Sequence, residues 1–330
     1  MAEASVAGMT LALETCRDNI RWDEFVSHSP QGSVFCSSAF LNALPLDWDG
    51  LFVLDNGVPL LAAVMLIKDG TPSKAPYPFT MYQGIMFAGS LAAMPYHRKC
   101  KLSLELEEFL LTELAQRYTR ISLCMHYNCE DLRGFQWFNY HNPTAGQFRC
   151  DLRYTGILDL KPYATPENLL ASLRTVRRQE YKKCLTGGFS IETSSDIDTF
   201  DELHRKTFDR QGIERDPLEA LLLPAISKAM LDSGIGELLF CRTPSGEVAS
   251  ATLFLNDSRC GYYLFSTNDP LHRKTGAGSF LMVHNIMRCM EKGADCVDFL
   301  GINSPQRGDF KTSFNARPVP YFITSWEKPA

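Results

Sequence analysis

The stretch GYYLFSTNDPLHRKTGAGSFLMVHNIMRCMEKGADCVDFLGI, residues 261–302, contains the clearest succession of structural signals in the chain. Its first seven residues predict a β-strand. A helix follows, with four apolar residues at helical spacing: Phe280, Val283, Met287 and Met290. Gly293 predicts the end of that helix, and CVDFLGI predicts a second strand. This order of elements indicates an α/β fold.

A β-hairpin is predicted ahead of this stretch and again in the first half of the chain. ELLFC at 237–241 and ASATLFL at 249–255 flank the turn residues Pro244-Ser245-Gly246. LFVLDNGVPLLAAVMLI at 51–67 contains Asn-Gly between two apolar runs, and Asn-Gly supplies the positive φ angles of a tight hairpin.

The first half also repeats the helix and the strand that follow. LSLELEEFLLTELAQRY at 102–118 has helical spacing, and ISLCMHY at 121–127 predicts the next strand. Because the order of elements is the same in both halves, we predict two copies of one α/β unit, in domains at residues 1–155 and 156–330.

The join between the two domains is predicted to lead into a basic helix. After the strand YTGILDL at 154–160, Thr165 and Pro166 are typical of a helix start. We predict one helix over Pro166–Leu185 and a second over Ile197–Gln211. The first carries five basic residues: Arg174, Arg177, Arg178, Lys182 and Lys183.

The charge balance and the hydropathy pattern exclude several classes of protein. Lys and Arg total 33 and Asp and Glu total 38, so the formal net charge is −5. The chain has no long run of charges of one sign, so a general affinity for DNA or for anionic membranes is not indicated. No apolar run approaches the length of a membrane span, and the N-terminal residues lack the pattern of a secretory leader. We therefore expect a soluble cytoplasmic protein.

The eleven cysteines are scattered and mostly lie in apolar stretches, which favours reduced, buried thiols. The tightest cluster is Cys124, His126 and Cys129, and a zinc ion would need a second ligand pair from elsewhere in the chain. No such pair is visible, so we predict no metal site.

The loop Arg273-Lys274-Thr275-Gly276-Ala277-Gly278 lies between a predicted strand and a predicted helix. Glycines there let the backbone approach a diphosphate, and the N–H groups and dipole of the helix start attract its oxygens. Arg273 and Lys274 add positive charge. Two glycines at a helix start also occur for structural reasons alone, and that alternative stays open.

The pattern R-x-x-G-x-G resembles the acyl-coenzyme A pyrophosphate loop of the GNAT acyltransferases. Asp298-Phe-Leu-Gly301 and the segment GDFKTSF at 308–314 resemble the FemAB-type branch of that superfamily. GSVFCSSAFLNAL at 32–44 and HRKTFDRQGI at 204–213 agree with it. The resemblance covers almost the whole chain and implies an α/β (α+β type) protein of two tandem GNAT-like domains, each a mixed sheet flanked by helices.

The resemblance implies a transferase and leaves its donor open. FemAB-type proteins move amino acids from aminoacyl-tRNA to peptidoglycan precursors, and related branches move acyl groups from acyl-CoA to amines. The R-x-x-G-x-G loop favours acyl-CoA as a co-substrate, with no permanently bound cofactor. The acceptor would be a small-molecule amine or a cell-envelope precursor. A tRNA-dependent transferase and a non-catalytic ligand-binding module remain the alternatives.

The resemblance also implies site residues in the second domain. Its donor site would comprise the loop residues Arg273, Lys274, Gly276, Ala277 and Gly278, and Ser266 on the preceding strand. Lys311 would lie at the active centre and stabilise negative charge. Asp298 and Asp309 are the carboxylates nearest to it in sequence and are candidate bases.

The acceptor would be held by residues of both domains. Arg177 and Arg178 match the arginine-rich helix that faces an acceptor's phosphates in the family. Tyr263, on the strand that opens to admit the pantetheine arm, is a further candidate. Tyr82 and Gln83 are predicted to line the acceptor cleft from the first domain.

Overall fold

The computed structural model of this protein describes residues 3–6 and 9–329. The chain forms two compact units: Met1–Arg153 with Pro320–Ala330, here called unit 1, and Tyr154–Val319, here called unit 2. Both units combine β-sheet with α-helices, so the predicted α/β class is confirmed.

Unit 1 contains an antiparallel sheet and a long helix. Its strands are β1 (Glu3–Val6), β2 (Met9–Cys16), β3 (Asp47–Asp55), β4 (Val58–Lys68), β5 (Thr71–Pro72), β6 (Ile85–Phe87) and β7 (Arg120–Cys124). Its helices are α1 (Asn19–His28), α2 (Ser38–Asn42), α3 (Tyr96–Arg117) and α4 (Arg133–Trp137). Strands β1 to β5 lie in sequence order, and β6 pairs with the same edge of β4 as β5 does, away from β3.

The local signals in unit 1 have clear physical causes. At the β3–β4 turn, Asn56 and Gly57 have φ angles of 47° and 82°, which a two-residue hairpin turn requires. Leu106, Leu110 and Leu114 of α3 are fully buried, because their spacing places them on one face of the helix.

Unit 2 contains a mixed sheet flanked by helices. Its strands are β8 (Arg149–Asp159, which starts in unit 1), β9 (Ser190–Ser194), β10 (Gly236–Arg242), β11 (Val248–Asn256), β12 (Cys260–Asn268) and β13 (Cys296–Asp298). Its helices are α5 (Pro166–Ser172), α6 (Thr175–Thr186), α7 (Ile197–Gln211), α8 (Pro217–Asp232), α9 (Ala277–Glu291) and α10 (Pro305–Thr312). The strand order is β8-β13-β12-β11-β10-β9, and the β12–β13 pair is parallel.

The terminal strand β14 (Arg317–Glu327) lies mostly in unit 1. It pairs antiparallel with β7, from Ile323 opposite Cys124 to Glu327 opposite Arg120. From the sequence, these last residues are assigned to the second domain. Their pairing with β7 cannot be foreseen, because the two strands are far apart along the chain. Their backbone pairing instead groups residues 320–330 with unit 1. The first division, after Arg153, falls two residues before the one predicted.

The basic helix expected over Pro166–Leu185 is wrong as a single element, because the chain breaks between α5 and α6. Leu173 has an extended ψ of 154° and is buried in the core of unit 2. The Arg174 N–H donates to the carbonyl of Ser313 at 3.1 Å rather than to a helical acceptor. By contrast, α7 has the predicted bounds Ile197–Gln211, with an Asp196 cap and a left-handed Gly212 at its end. Among the described residues, no helix is both long and apolar enough to cross a membrane.

Candidate functional site

Strands β12 and β13 pair over a short distance and then part. The parallel ladder has three residue pairs and, among the described residues, ends with Tyr262 opposite Asp298. Strand β12 continues to Asn268, with a register shift near Tyr263, whereas the chain after Asp298 turns at Leu300, whose φ is 51°. Six residues of β12 therefore extend past the end of this ladder.

Asp298 stabilises the turn that ends β13. Its side chain is fully buried and its Oδ1 accepts from the Thr155 hydroxyl at 2.5 Å and from the Leu300 N–H at 2.8 Å. Leu300 adopts a left-handed conformation that is unfavourable for a leucine, so these contacts hold the turn in place. These surroundings favour a structural role for Asp298 over the predicted role of a base.

Lys311 lies where the two strands part. Its Nζ donates to the carbonyl oxygens of Leu300 at 2.6 Å and Gly301 at 3.2 Å, and it lies 5.6 Å from the ring centroid of Tyr263 on β12. The lysine therefore contacts both β12 and the segment that follows β13. Its ammonium group is held in place by carbonyl oxygens and an aromatic ring, an arrangement that fixes a positive charge at this point.

Tyr263 and Ser266 are neighbours on the bulged part of β12. Burial raises the pKa of Tyr263 to about 12, and a hydrogen bond with the Ser266 side chain opposes part of that shift. The phenol is therefore protonated at neutral pH and available as a hydrogen-bond donor. The predicted residues Lys311, Tyr263 and Ser266 thus lie in one region of unit 2.

The loop between β12 and α9 leaves backbone amides without a hydrogen-bond acceptor. In this loop and the first turn of α9, four N–H groups have no acceptor among the described residues: those of Arg273, Lys274, Gly276 and Gly278. The Arg273 and Lys274 side chains are exposed. Unpaired amides next to two cations at a helix start form an arrangement that can bind an anion.

The glycines of this loop are required by close packing. Gly276 has a φ of 94° directly before α9, and a Cβ atom there would lie 2.8 Å from Glu180 Cβ. A Cβ atom on Gly278 would lie 2.5 Å from Asn268 Oδ1. Ala277, the first residue of α9, is buried. These positions therefore need small residues for reasons of packing. This agrees with the alternative that the two glycines have a structural role.

Sequence analysis missed Glu180, a residue of α6 whose side chain contacts the first turn of α9. Its carboxylate accepts from the Ser279 hydroxyl at 2.5 Å, where the helix dipole favours negative charge. Arg177 compensates that charge, with an Nη1–Oε2 distance of 2.6 Å. The i,i+3 spacing of Arg177 and Glu180 is the one sequence signal that could have revealed this pair.

Arg177 is held inside unit 2 by contacts on several sides. Its Nε donates to Ser313 Oγ at 2.7 Å, and its Nη1 also donates to Ser279 Oγ at 2.9 Å. Its guanidinium lies over the rings of Phe310 and Phe314, at 4.7 Å and 5.6 Å from their centroids. Its side chain is 15% exposed, so Arg177 joins α6, α9 and α10 rather than facing a ligand.

The neighbouring basic residues have other surroundings. Arg178 is exposed and donates to the Ala171 carbonyl of α5 and the Thr175 hydroxyl at the start of α6. Asp309 accepts from Arg174 at 2.9 Å and 3.1 Å in an exposed ion pair. Asp309 therefore has an arginine partner of its own, and no described contact joins it to Lys311.

The two adjacent arginines are expected to differ sharply when replaced. We expect Arg177→Ala to lower the free energy of unfolding of unit 2 by about 2–3 kcal/mol, because it leaves the Glu180 carboxylate without its cation. Arg178→Ala is expected to change it by less than about 0.5 kcal/mol. Urea unfolding followed by circular dichroism measures both, and equal losses in the two variants would contradict the assignment of Arg177.

Tyr82 and Gln83 lie in the interior of unit 1. Tyr82 is 1% exposed and its ring packs edge-on against Tyr127 and Tyr321. Gln83 is 3% exposed and its Nε2 donates to the Phe35 carbonyl at 3.0 Å. These contacts assign both residues to the core of unit 1 rather than to the predicted lining of an acceptor cleft.

No metal-binding cluster is present in the described part of the chain. In residues 3–6 and 9–329, no three His, Cys, Asp or Glu side chains are grouped to hold an ion. Cys124 is fully buried, and burial raises the pKa of its thiol to about 12.

Comparison with known proteins finds a domain match in the second half and a similar fold over nearly the whole chain. Residues 171–312 match the family of acetyltransferase (GNAT) domains. This range includes α6, the loop before α9 and Lys311. No curated protein matches the chain.

Three solved structures are similar over nearly the full length. FemX has a TM-score of 0.69 at 16% identity and covers 94% of this chain and 96% of its own. A tandem GNAT protein from the clavulanic acid biosynthesis pathway has a TM-score of 0.54 at 10% identity, covering 97% and 99%. A conserved protein of unknown function from Bacteroides thetaiotaomicron has a TM-score of 0.63 at 9% identity, covering 96% and 100%. The match of residues 171–312 to GNAT domains, and the fold shared with FemX and a tandem GNAT protein, confirm the predicted resemblance to a FemAB-like tandem GNAT fold.

Proposed function

We propose that this protein is an N-acyltransferase that moves an acyl group from acyl-CoA to an amine by direct transfer. The observation that carries the proposal is the set of unpaired amides at the start of α9, next to the exposed Arg273 and Lys274. Amides and cations of this kind suit a diphosphate. The loop lies within the range that matches GNAT acetyltransferase domains.

The parted strands suit the rest of such a donor. The pantetheine arm of coenzyme A carries two amide groups, which can pair with backbone beyond the end of the β12–β13 ladder. Its thioester would then lie towards Lys311, at the point where the strands separate. The Glu180 carboxylate near the diphosphate position is compensated by Arg177, which limits its repulsion of phosphate.

The proposed reaction has few chemical requirements. A neutral amine nitrogen attacks the thioester carbonyl carbon, the carbon–sulfur bond breaks, and the coenzyme leaves as a thiolate that takes up a proton. The amine loses one proton, to water or to a base on the acceptor side. Lys311 would stabilise the negative charge that develops on the carbonyl oxygen. Positioning of the two substrates supplies much of the remaining rate.

Calorimetric titration with coenzyme A and acetyl-CoA tests the donor. We expect micromolar binding to the wild type and at least about tenfold weaker binding to the double variant Arg273→Ala/Lys274→Ala, because two phosphate-facing charges are removed. Arg210→Ala, which removes an exposed cation of α7, is the matched control. Replacing Gly276 would be less informative, because any Cβ atom there meets Glu180.

The result of this titration also separates the alternatives. Absence of binding to the wild type would contradict the acyl-CoA donor and make aminoacyl-tRNA the next donor to test, by gel shift with charged tRNA. Tight coenzyme A binding with no transfer to any amine in a broad panel would instead support a non-catalytic binding module. A cell-envelope precursor belongs in that panel beside small amines.

A further inference from the structure

Unit 1 contains a cavity of about 770 Å³ that the proposed reaction does not use. It lies between the start of α3 and the segment that follows β7. Tyr96, His97 and Lys99 line it from α3, and Asn128, Cys129 and Glu130 line it from the other side. Its volume is in the range of sites that bind small molecules.

Glu107 of α3 lines this cavity and is buried without a complete set of partners. Its side chain is 2% exposed. Its Oε2 has no hydrogen-bond donor of good distance and angle among the described residues, although the Gly134 backbone N–H favours the ionised carboxylate. The carboxyl group packs closely against Gly134, where a Cβ atom would lie 2.0 Å from Oε2. A buried carboxyl oxygen without a donor is costly to the fold, so its presence at a cavity points to a ligand that supplies one.

The charges around Glu107 favour a positively charged ligand. Glu130 and Asp131, on the segment that follows β7, also line the cavity. Arg133, a cation that lines the cavity, is held by Asp131, with Nε–Oδ1 and Nη2–Oδ2 distances of 2.8 Å and 2.6 Å. One of the three carboxyl groups is thus paired with an arginine. Lys99 and His97 also line the cavity and are more exposed than Glu107.

We propose that this cavity binds a small molecule through a primary ammonium group, with Glu107 as the group that receives it. The ammonium group has three N–H donors, and it supplies the missing hydrogen bond and, once the carboxyl group ionises, a counter-charge. A metal ion does not suit the site, because no metal-binding cluster is found among the described residues. The proposal concerns unit 1 alone and does not depend on the donor bound by unit 2.

Binding of an ammonium compound here has a specific consequence for protons. Burial, and next the charge of Asp131, raise the pKa of Glu107 to about 8, against the opposing effects of a Gly134 backbone hydrogen bond and the Arg133 charge. The free carboxyl group is therefore mostly protonated at pH 7, and a bound ammonium ion favours its ionised form. Each binding event near neutral pH should then release up to one proton to the solvent.

The experiment uses n-butylammonium as the probe, followed by saturation-transfer NMR and calorimetry on the full chain. We expect a dissociation constant of about 10 mM or lower for the wild type. Binding should weaken at least about tenfold in Glu107→Gln, which keeps the shape but cannot become negative. Glu108→Gln, an exposed position on the same helix that does not line this cavity, is the matched control and should bind as the wild type does.

A second measurement needs no variant. Titrations at pH 7 in two buffers of different ionisation enthalpy report the protons released on binding, and we expect a release that disappears above about pH 9. n-Butyltrimethylammonium, which has no N–H group, should bind at least about tenfold more weakly than n-butylammonium. No detectable binding of n-butylammonium at 50 mM, a ligand concentration about five times the expected constant, would overturn the proposal. Equal binding by wild type and Glu107→Gln would also overturn it.

Discussion

Replacing Lys311 by methionine is expected to slow acyl transfer by about 10²–10³-fold while coenzyme A binding persists. Methionine keeps the length of the side chain and removes the positive charge that lies where β12 and β13 part. The Leu300 and Gly301 carbonyls lose their donor, so part of the loss will come from movement of that turn. Initial rates with saturating acyl-CoA, together with calorimetric binding of coenzyme A, separate the two effects.

Asp309→Asn on the same helix is the control for Lys311→Met. Asp309 pairs with Arg174 at an exposed position, so its replacement should leave the transfer rate within about twofold. A loss of 10²-fold in Asp309→Asn would restore it as a candidate base. Transfer at the wild-type rate in Lys311→Met would exclude the lysine from charge stabilisation.

The stability of unit 1 is expected to fall as the pH rises, because of Glu107. Its pKa is raised from 4.5 to about 8 in the folded protein, so the folded state keeps a proton that the unfolded state releases. The stabilisation is fully present below about pH 4.5 and is lost as the pH rises to about 8. Relative to Glu107→Gln, the wild type should lose up to about 1.4 kcal/mol per pH unit, or about 3.5 kcal/mol between pH 5 and pH 8.

Tryptophan fluorescence makes this measurement specific for unit 1. The four tryptophans of the chain, Trp22, Trp48, Trp137 and Trp326, all lie in unit 1. Urea unfolding at several pH values, for wild type, Glu107→Gln and Glu108→Gln, gives the required differences. The other titratable groups that line the cavity are present in both wild type and variant: Tyr96, His97, Lys99, Cys100, Cys129, Glu130, Asp131 and Arg133. A difference that does not change with pH would mean that Glu107 stays ionised in the folded state.

Local features of the fold could be predicted from the sequence because their causes lie within a few residues. The Asn56-Gly57 turn follows from the positive φ angles that these residues tolerate. The bounds of α7 follow from a cap at Asp196 and a glycine just past its end. The strand, loop and helix order around Gly276 follows from spacing and composition alone.

Features that depend on distant partners could not be predicted in this way. The break between α5 and α6 depends on a hydrogen bond from Arg174 to Ser313, far along the chain. Arg177 and Arg178 look equivalent in sequence, but tertiary contacts bury one and leave the other exposed. Glu107 follows the buried Leu106 on α3, and nothing in the sequence distinguishes it from a surface glutamate.

The placement of β14 determines when unit 1 can complete its fold during synthesis. The residues of unit 2 are translated between the two parts of unit 1, so β7 leaves the ribosome long before its partner exists. Until residues 323–327 emerge, the β7 edge that they cover presents unpaired backbone groups, which favour association with other chains. Unit 2, which is continuous in sequence, can fold first. The half of the protein that is made first is therefore the half that finishes folding last.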